Sequence, residues 1–254
     1  MILDDFSLEG KIALVTGANR GLGQGIAIGL AQAGADIALL SRSDSSETID
    51  EILALGRHCL AIELDLGQAS REDYSQAVNQ AVEGLGRLDI LVNNAGIIRR
   101  APVVEHSTQD WDDVLKVNLE APYFLAQAAG KHMLAQGSGK IIFICSLLSY
   151  QGGVFVPGYT ASKHGVAGLT KALANEWASS GINVNGIAPG YMATDNTEAL
   201  RADPERSASI SSRIPAGRWG TAHDIAGAAV YLASAASDYV HGTIVDVDGG
   251  WLGR

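Results

Sequence analysis

Tyr159 and Lys163 lie four residues apart, and Ser146 precedes them in the run S-L-L-S-Y-Q-G-G-V-F-V-P-G-Y-T-A-S-K. If one helix covers the tyrosine and the lysine, i and i+4 side chains share a face with Cβ atoms about 5–6 Å apart, so an ammonium can sit under a phenol. A free tyrosine, with a pKa of about 10, carries protons poorly at neutral pH, but a fixed positive charge beside it favours the phenolate. Ser146 can then hydrogen-bond a substrate oxygen. This is equipment for hydride transfer at a carbonyl or alcohol. A Tyr four residues before a Lys is common by itself, as a half-buried aromatic beside a solvated charge. Of the seven tyrosines, however, only Tyr159 has a lysine at i+4, and it follows an apolar, strand-like run, K-I-I-F-I-C-S, that ends on Ser146.

These residues need a frame. The chain has 254 residues, 47% of them hydrophobic, enough for a sizeable core, and no Pro/Gly/Ser-rich linker or repeat divides it. One domain over 1–254 is expected. The formal net charge of -10 opposes binding to nucleic acid or an anionic membrane, which leaves a small molecule as the expected partner. Cys59 and Cys145 sit in apolar runs, as reduced, buried thiols would, and no metal site is expected. The start M-I-L-D-D-F-S-L-E-G has acids where a signal peptide needs bases, and no apolar run reaches the ~18 residues of a membrane helix. A soluble, cytoplasmic protein is expected.

Strand and helix patterns alternate along the chain. Lys11 to Thr16 reads as a strand, T-G-A-N-R-G-L-G as a glycine turn, and Ile26 to Ala33 as a helix ending at Gly34. Further strands are expected over Asp36 to Ser41, H-C-L-A-I-E-L-D-L, R-L-D-I-L-V-N-N-A-G, Lys140 to Cys145, Ile182 to Ile187 and T-I-V-D-V. Helices are expected over Ile49 to Leu55, Glu72 to Glu83, Trp111 to Lys131 with Asn118 inside it, Tyr159 to about Ser179, and Ala222 to Ala233. The polar stretch Tyr191 to Arg213 reads as a mobile lid or a pair of short helices over the site. The alternation predicts an α/β fold, a Rossmann-type doubly wound parallel sheet with helices on both faces and a ligand at the strands' carboxyl ends.

The glycine turn, with Gly17, Gly21 and Gly23 spaced G-x-x-x-G-x-G, departs from the G-x-G-x-x-G fingerprint but serves the same need, a close approach of backbone to a pyrophosphate at a helix N-terminus. Around it the expected cofactor contacts are Asn19, Arg20 and Leu22, then Ser41 and Arg42, Asp65 and Leu66 near the adenine, and Asn93, Ala95 and Gly96. Tyr159, Lys163, Pro189, Gly190, Met192 and Thr194 complete the set. An acid at the end of the second strand would bind a ribose 2′-hydroxyl, whereas a basic residue accommodates a 2′-phosphate. The sequence there is Ser41-Arg42, with Asp44 read as a solvated turn or helix cap, so NADP(H) is favoured, with NAD(H) as the alternative. Arg99 or Arg100 is a candidate for a substrate carboxylate, because a planar guanidinium can bond both oxygens. Two solvated surface arginines are the alternative reading. Gln151 is the candidate for a substrate hydroxyl.

Thr16 to Gly23, N-N-A-G at Asn93 to Gly96, Asn118, Ser146, Y-x-x-x-K at Tyr159 to Lys163 and P-G at Pro189 together resemble the short-chain dehydrogenase/reductase family over nearly the whole chain. The resemblance implies that Tyr159 transfers the proton, Lys163 holds the nicotinamide ribose and tunes the tyrosine, and Ser146 orients the carbonyl. It also implies that Asn118 kinks its helix and anchors a water, and that Thr194 contacts the nicotinamide carboxamide. The stretches Gly96 to Arg100, Ser146 to Gly153, Pro189 to Thr197 and Arg213 to Gly220 are similar to the 2-deoxy-D-gluconate 3-dehydrogenase (2-dehydro-3-deoxy-D-gluconate 5-dehydrogenase) branch. That branch implies an acidic, sugar-derived substrate. The wider family implies a homotetramer, with interfaces from the helices near Asn118 and Tyr159 and from V-D-G-G-W-L-G-R. Reductases of gluconate, alginate-derived uronates or acyl thioesters remain alternatives. So does a nucleotide-sensing binding protein, although an intact Ser, Tyr, Lys and Asn set weighs against it.

Overall fold

The computed structural model describes residues 1–253, so Arg254, at the end of the expected interface segment, lies outside the described residues. Its strands are β1 (Ile12–Thr16), β2 (Asp36–Ser41), β3 (Cys59–Glu63), β4 (Ile90–Asn93), β5 (Gly139–Ile144), β6 (Ile182–Pro189) and β7 (Ile244–Val247). They form one sheet in the order β3-β2-β1-β4-β5-β6-β7, with every neighbouring pair parallel. β1 and β4 are buried along their whole length, which explains why they read as unbroken apolar runs rather than alternating ones: helices cover both faces.

On one face lie α1 (Gly21–Gln32), α2 (Ser46–Ala54) and α9 (Ala222–Ala233), and their apolar sides close over Val15, Ile37, Leu39 and Ile142. Gly29 lets α1 approach α9, since a Cβ there would stand 2.7 Å from that of Ala226. The other face carries α3 (Arg71–Leu85), α5 (Ala121–Gln136) and α6 (Pro157–Trp177) around Tyr74, Phe143 and Trp177. Ser70 caps α3 by accepting the Asp73 amide, and Asp73 answers by accepting the Ser70 amide. No helix among the described residues is long and apolar enough to cross a membrane.

Two expectations change in detail, and the pair of short helices expected after β6 is present. The helix expected over Trp111 to Lys131 is α4 (Thr108–Leu115), a π-helical turn (Lys116–Glu120) and α5, in which the Ala121 amide reaches back to the Lys116 carbonyl. Hydrophobic periodicity misses one extra residue in a turn, and Asn118 is in that turn. β6 runs on to Pro189 because the ladder to β7 continues through the Pro189–Val247 pair. Residues 191–213 hold a 3₁₀ turn (Asp195–Thr197) and two short helices, α7 (Glu198–Ala202) and α8 (Pro204–Ser211).

The strand order reverses between β1 and β4, so their connections leave in opposite directions and open a crevice at the carboxyl ends. Thr16, buried at the end of β1, braces one wall of that crevice from behind. Its Oγ1 accepts the amides of Asn94 and Ala95 at 3.0 and 2.9 Å, fixing the loop after β4 to the end of β1.

Candidate active site

The crevice is a cleft of about 300 Å³ that joins the glycine turn to Ser146, Tyr159 and Lys163. Gly17 and Gly21 have φ of 63° and 60°, a region side chains disfavour, and a Cβ on Gly23 would stand 2.1 Å from the Gly17 carbonyl oxygen. Only glycine fits this fold of the backbone. The turn delivers the first amides of α1, which lack partners within the helix, to the cleft, and Arg20 at the cap position makes no side-chain cap hydrogen bond. Such a cradle suits a pyrophosphate, so the residues present fit a dinucleotide.

α6 begins at Pro157, so it carries both Tyr159 and Lys163. Lys163 is only 5% exposed, and its Nζ, 5.5 Å from the Tyr159 ring centre, donates to the Ile144 carbonyl at 2.6 Å. A buried ammonium needs such a partner, and this one anchors the charge at the end of β5. Ser149 ties the two arms of the site together: its Oγ accepts the Ser146 amide at 3.2 Å and donates to the Lys163 carbonyl at 2.9 Å. From the other side, Asn118 Nδ2 donates to Ser162 Oγ at 3.3 Å, and Ser162 donates to the Tyr159 carbonyl at 2.7 Å. The π turn and the first turn of α6 are thus joined by hydrogen bonds.

At the far end of the cleft, Ser41, Arg42, Asp65 and Leu66 line the wall, and no acid ends β2. The Ser41 hydroxyl bonds Ser43 O and Ser45 Oγ, while Asp44 accepts the Ser46 amide and hydroxyl, as a turn residue would. Arg42 lies 3.9 Å from Asp65, and Arg20 2.9 Å from Asp195. Arg20, Arg42 and Asp195 are largely in solvent and Asp65 is half-buried, and such exposed pairs are weak. Asn19, Leu22, Ala95, Gly96, Pro189, Gly190, Met192 and Thr194 also line the cleft.

Five expected residues do not line the cleft, and one of them, Asn118, is buried in the π turn. Asn93 is buried, its Nδ2 donating to the Pro122 carbonyl at 3.4 Å, and the cleft wall is its neighbour Asn94. Arg99 does not line the cleft, and its guanidinium is drawn to Asp110 at 3.3 Å and Asp113 at 3.7 Å, two carboxylates that compete with any substrate. Arg100 is exposed and also off the cleft wall. Gln151 is off it as well, its Oε1 accepting from Trp251 Nε1 at 3.3 Å. Sequence reasoning did not single out Ser43, Ile97, Val117, Asp195 and Thr197 as cleft residues. Asn94 was within reach, since consecutive side chains on a strand point to opposite faces. Burial pushes the Cys59 thiol up to about 11 and raises Cys145 as well, which disfavours the reactive thiolate at both.

A family model described as enoyl-(acyl carrier protein) reductase matches residues 17–252. The chain belongs to the short-chain dehydrogenase/reductase family. As a member it is an NAD(P)-dependent dehydrogenase acting on CH–OH groups. Among its relatives in the family, the 2-dehydro-3-deoxy-D-gluconate 5-dehydrogenase of Escherichia coli is 56% identical over 255 residues, covering 100% of each chain. A provisionally named 2-deoxy-D-gluconate 3-dehydrogenase from Agrobacterium tumefaciens, crystallised with NADP, superposes with a TM-score of 0.92 at 59% identity over 99% of this chain and 100% of that one. A gluconate 5-dehydrogenase from Burkholderia cenocepacia, in complex with NADP and tartrate, superposes with a TM-score of 0.94 at 40% identity over 100% of both chains.

Proposed function

We propose that the protein oxidises and reduces a secondary alcohol or ketone of a sugar acid, such as 2-dehydro-3-deoxy-D-gluconate or 2-deoxy-D-gluconate, with NADP(H). The observation that carries this reading is the convergence of Ser146, Tyr159 and Lys163 on the cleft that the glycine turn opens. The names of the relatives supply the substrate class, and two NADP-bound neighbours support the cofactor.

When bound, the nicotinamide supplies the hydride acceptor or donor. The protein's own residues do the rest. Ser146 donates a hydrogen bond to the reacting oxygen and orients it. Tyr159 takes the alcohol proton during oxidation and returns it to the carbonyl oxygen during reduction. Lys163 lowers the cost of the charge that develops on the phenol oxygen, because its ammonium is fixed beside the ring by Ile144. Asn118 holds the π turn against the loop after β4 and so fixes where the proton-transfer residues stand. At the adenosine end, Arg20 and Arg42 bind the 2′-phosphate, whose charge draws them from their solvent-screened carboxylates. Residues 191–213 close over the substrate, and the protein works in the cytoplasm as a homotetramer.

The direct test is to follow nicotinamide absorbance with NADP⁺ or NAD⁺ and a panel of sugar acids, neutral sugars and acyl thioesters. Turnover of a 3-deoxy or 2-deoxy sugar acid, faster with NADP⁺, is expected. Turnover confined to neutral sugars or thioesters would sink the substrate assignment. A monomeric mass by light scattering at micromolar concentration would sink the tetramer.

A further inference from the structure

We propose that Arg213, stacked on Trp251, binds the carboxylate of the substrate. The proposal deepens the sugar-acid reading and rests on it. Arg213 opens the stretch R-I-P-A-G-R-W-G, just past α8, and its guanidinium carbon lies 4.2 Å from the centre of the Trp251 ring. Trp251 is buried, and its indole N–H donates to Gln151 Oε1 at 3.3 Å. The position of this layer follows from what else it touches. Leu147, the residue after Ser146, packs in the same apolar cluster as Trp251, and Tyr191, the residue after cleft-lining Gly190, has its ring 4.7 Å from the indole. Arginine, indole and glutamine therefore stand one layer outside the cleft wall, behind the neighbours of Ser146 and Gly190.

Chemistry favours Arg213 over Arg99, which the sequence offers, and over its neighbour Arg218. Arg99 is held by Asp110 and Asp113, and Arg218 by both oxygens of Asp224, whereas no carboxylate among the described residues pairs with Arg213. Stacking engages the flat face of the guanidinium and leaves the N–H groups of its edge directed outward, which is the arrangement a carboxylate meets with two parallel hydrogen bonds. The indole also fixes the arginine before the ligand arrives, so less side-chain freedom is lost on binding. The bond from Trp251 engages the Oε1 of Gln151, which leaves the amide N–H₂ as the group that a substrate hydroxyl would accept from.

The experiment measures binding by calorimetry to the NADPH-loaded chain, a state in which a hydroxy acid binds without being oxidised. The ligands are 2-deoxy-D-gluconate and its neutral carboxamide, and the proteins are wild type, Arg213→Ala and Arg213→Lys. Affinity for the acid should fall about tenfold or more in Arg213→Ala, with partial retention in Arg213→Lys, while affinities for the carboxamide and for NADPH stay within about twofold. Unchanged NADPH binding shows that the variants are folded. Equal weakening of acid and carboxamide, or no weakening of either, overturns the assignment of Arg213 while leaving the sugar-acid reading intact. A wild type that binds neither ligand overturns both.

Discussion

Asn118 brackets the backbone of Ile97 from both sides: its Oδ1 accepts the Ile97 amide at 2.8 Å and its Nδ2 donates to the Ile97 carbonyl at 2.9 Å. One buried side chain in a π turn thereby holds the loop that follows β4, and the same Nδ2 reaches Ser162 beneath Tyr159. Asn118→Ala should strand these partly buried groups at about 1–3 kcal/mol, lowering Tm by several degrees. It should also lower kcat more than it raises the Kd for NADP⁺. Thermal melts and steady-state kinetics check both, and a variant of full kcat and unchanged Tm would show that the bracket is dispensable.

How much of this was readable from the residues differs from place to place. The strand, glycine turn and α1 were legible because each depends on local chemistry, a short β-branched run and glycines that no side chain can replace. Tyr159 and Lys163 were legible because helical spacing alone puts them on one face. The π turn was not, since it adds one residue without disturbing the apolar stripe. Nor were the partners of Arg99: Asp110 and Asp113 reach it only once α4 has packed beside the loop after β4. Asn93 and Asn94 were distinguishable only by which face of the sheet each side chain takes. The stacking of Arg213 on Trp251 joins residues 38 positions apart and leaves no local pattern.

The cofactor assignment predicts that wild type prefers NADP⁺ over NAD⁺ and that Arg42→Ala reduces this preference about tenfold or more, because a charge-assisted bond to the phosphate is lost. The ratio of kcat/KM values for the two cofactors reports it. An unchanged ratio in Arg42→Ala would mean that this guanidinium stays with Asp65.

Asp224 predicts a pH dependence of stability. Hydrogen bonds from Arg218, and then from the amide and hydroxyl of Thr221, hold its carboxyl well below the usual carboxylate range. A depressed folded value means that the carboxylate stabilises the fold fully above the unfolded value of about 3.9, and that this contribution is lost as pH falls through the folded value. Asp224→Asn should therefore melt a few degrees below wild type at pH 7, as expected for a lost helix-start bond, and the gap should narrow below about pH 4. Melting curves across pH 3–8 test this, and a gap that widens in acid would contradict it.

The assignment of Tyr159 as the proton-transfer group is tested most directly by Tyr159→Phe, which removes only the phenolic hydroxyl. Turnover of the sugar acid with NADP⁺ should fall about 10²–10⁴-fold, the range typical of a lost general acid or base, while the Kd for NADP⁺ changes little. A variant that keeps most of the wild-type kcat would contradict the account.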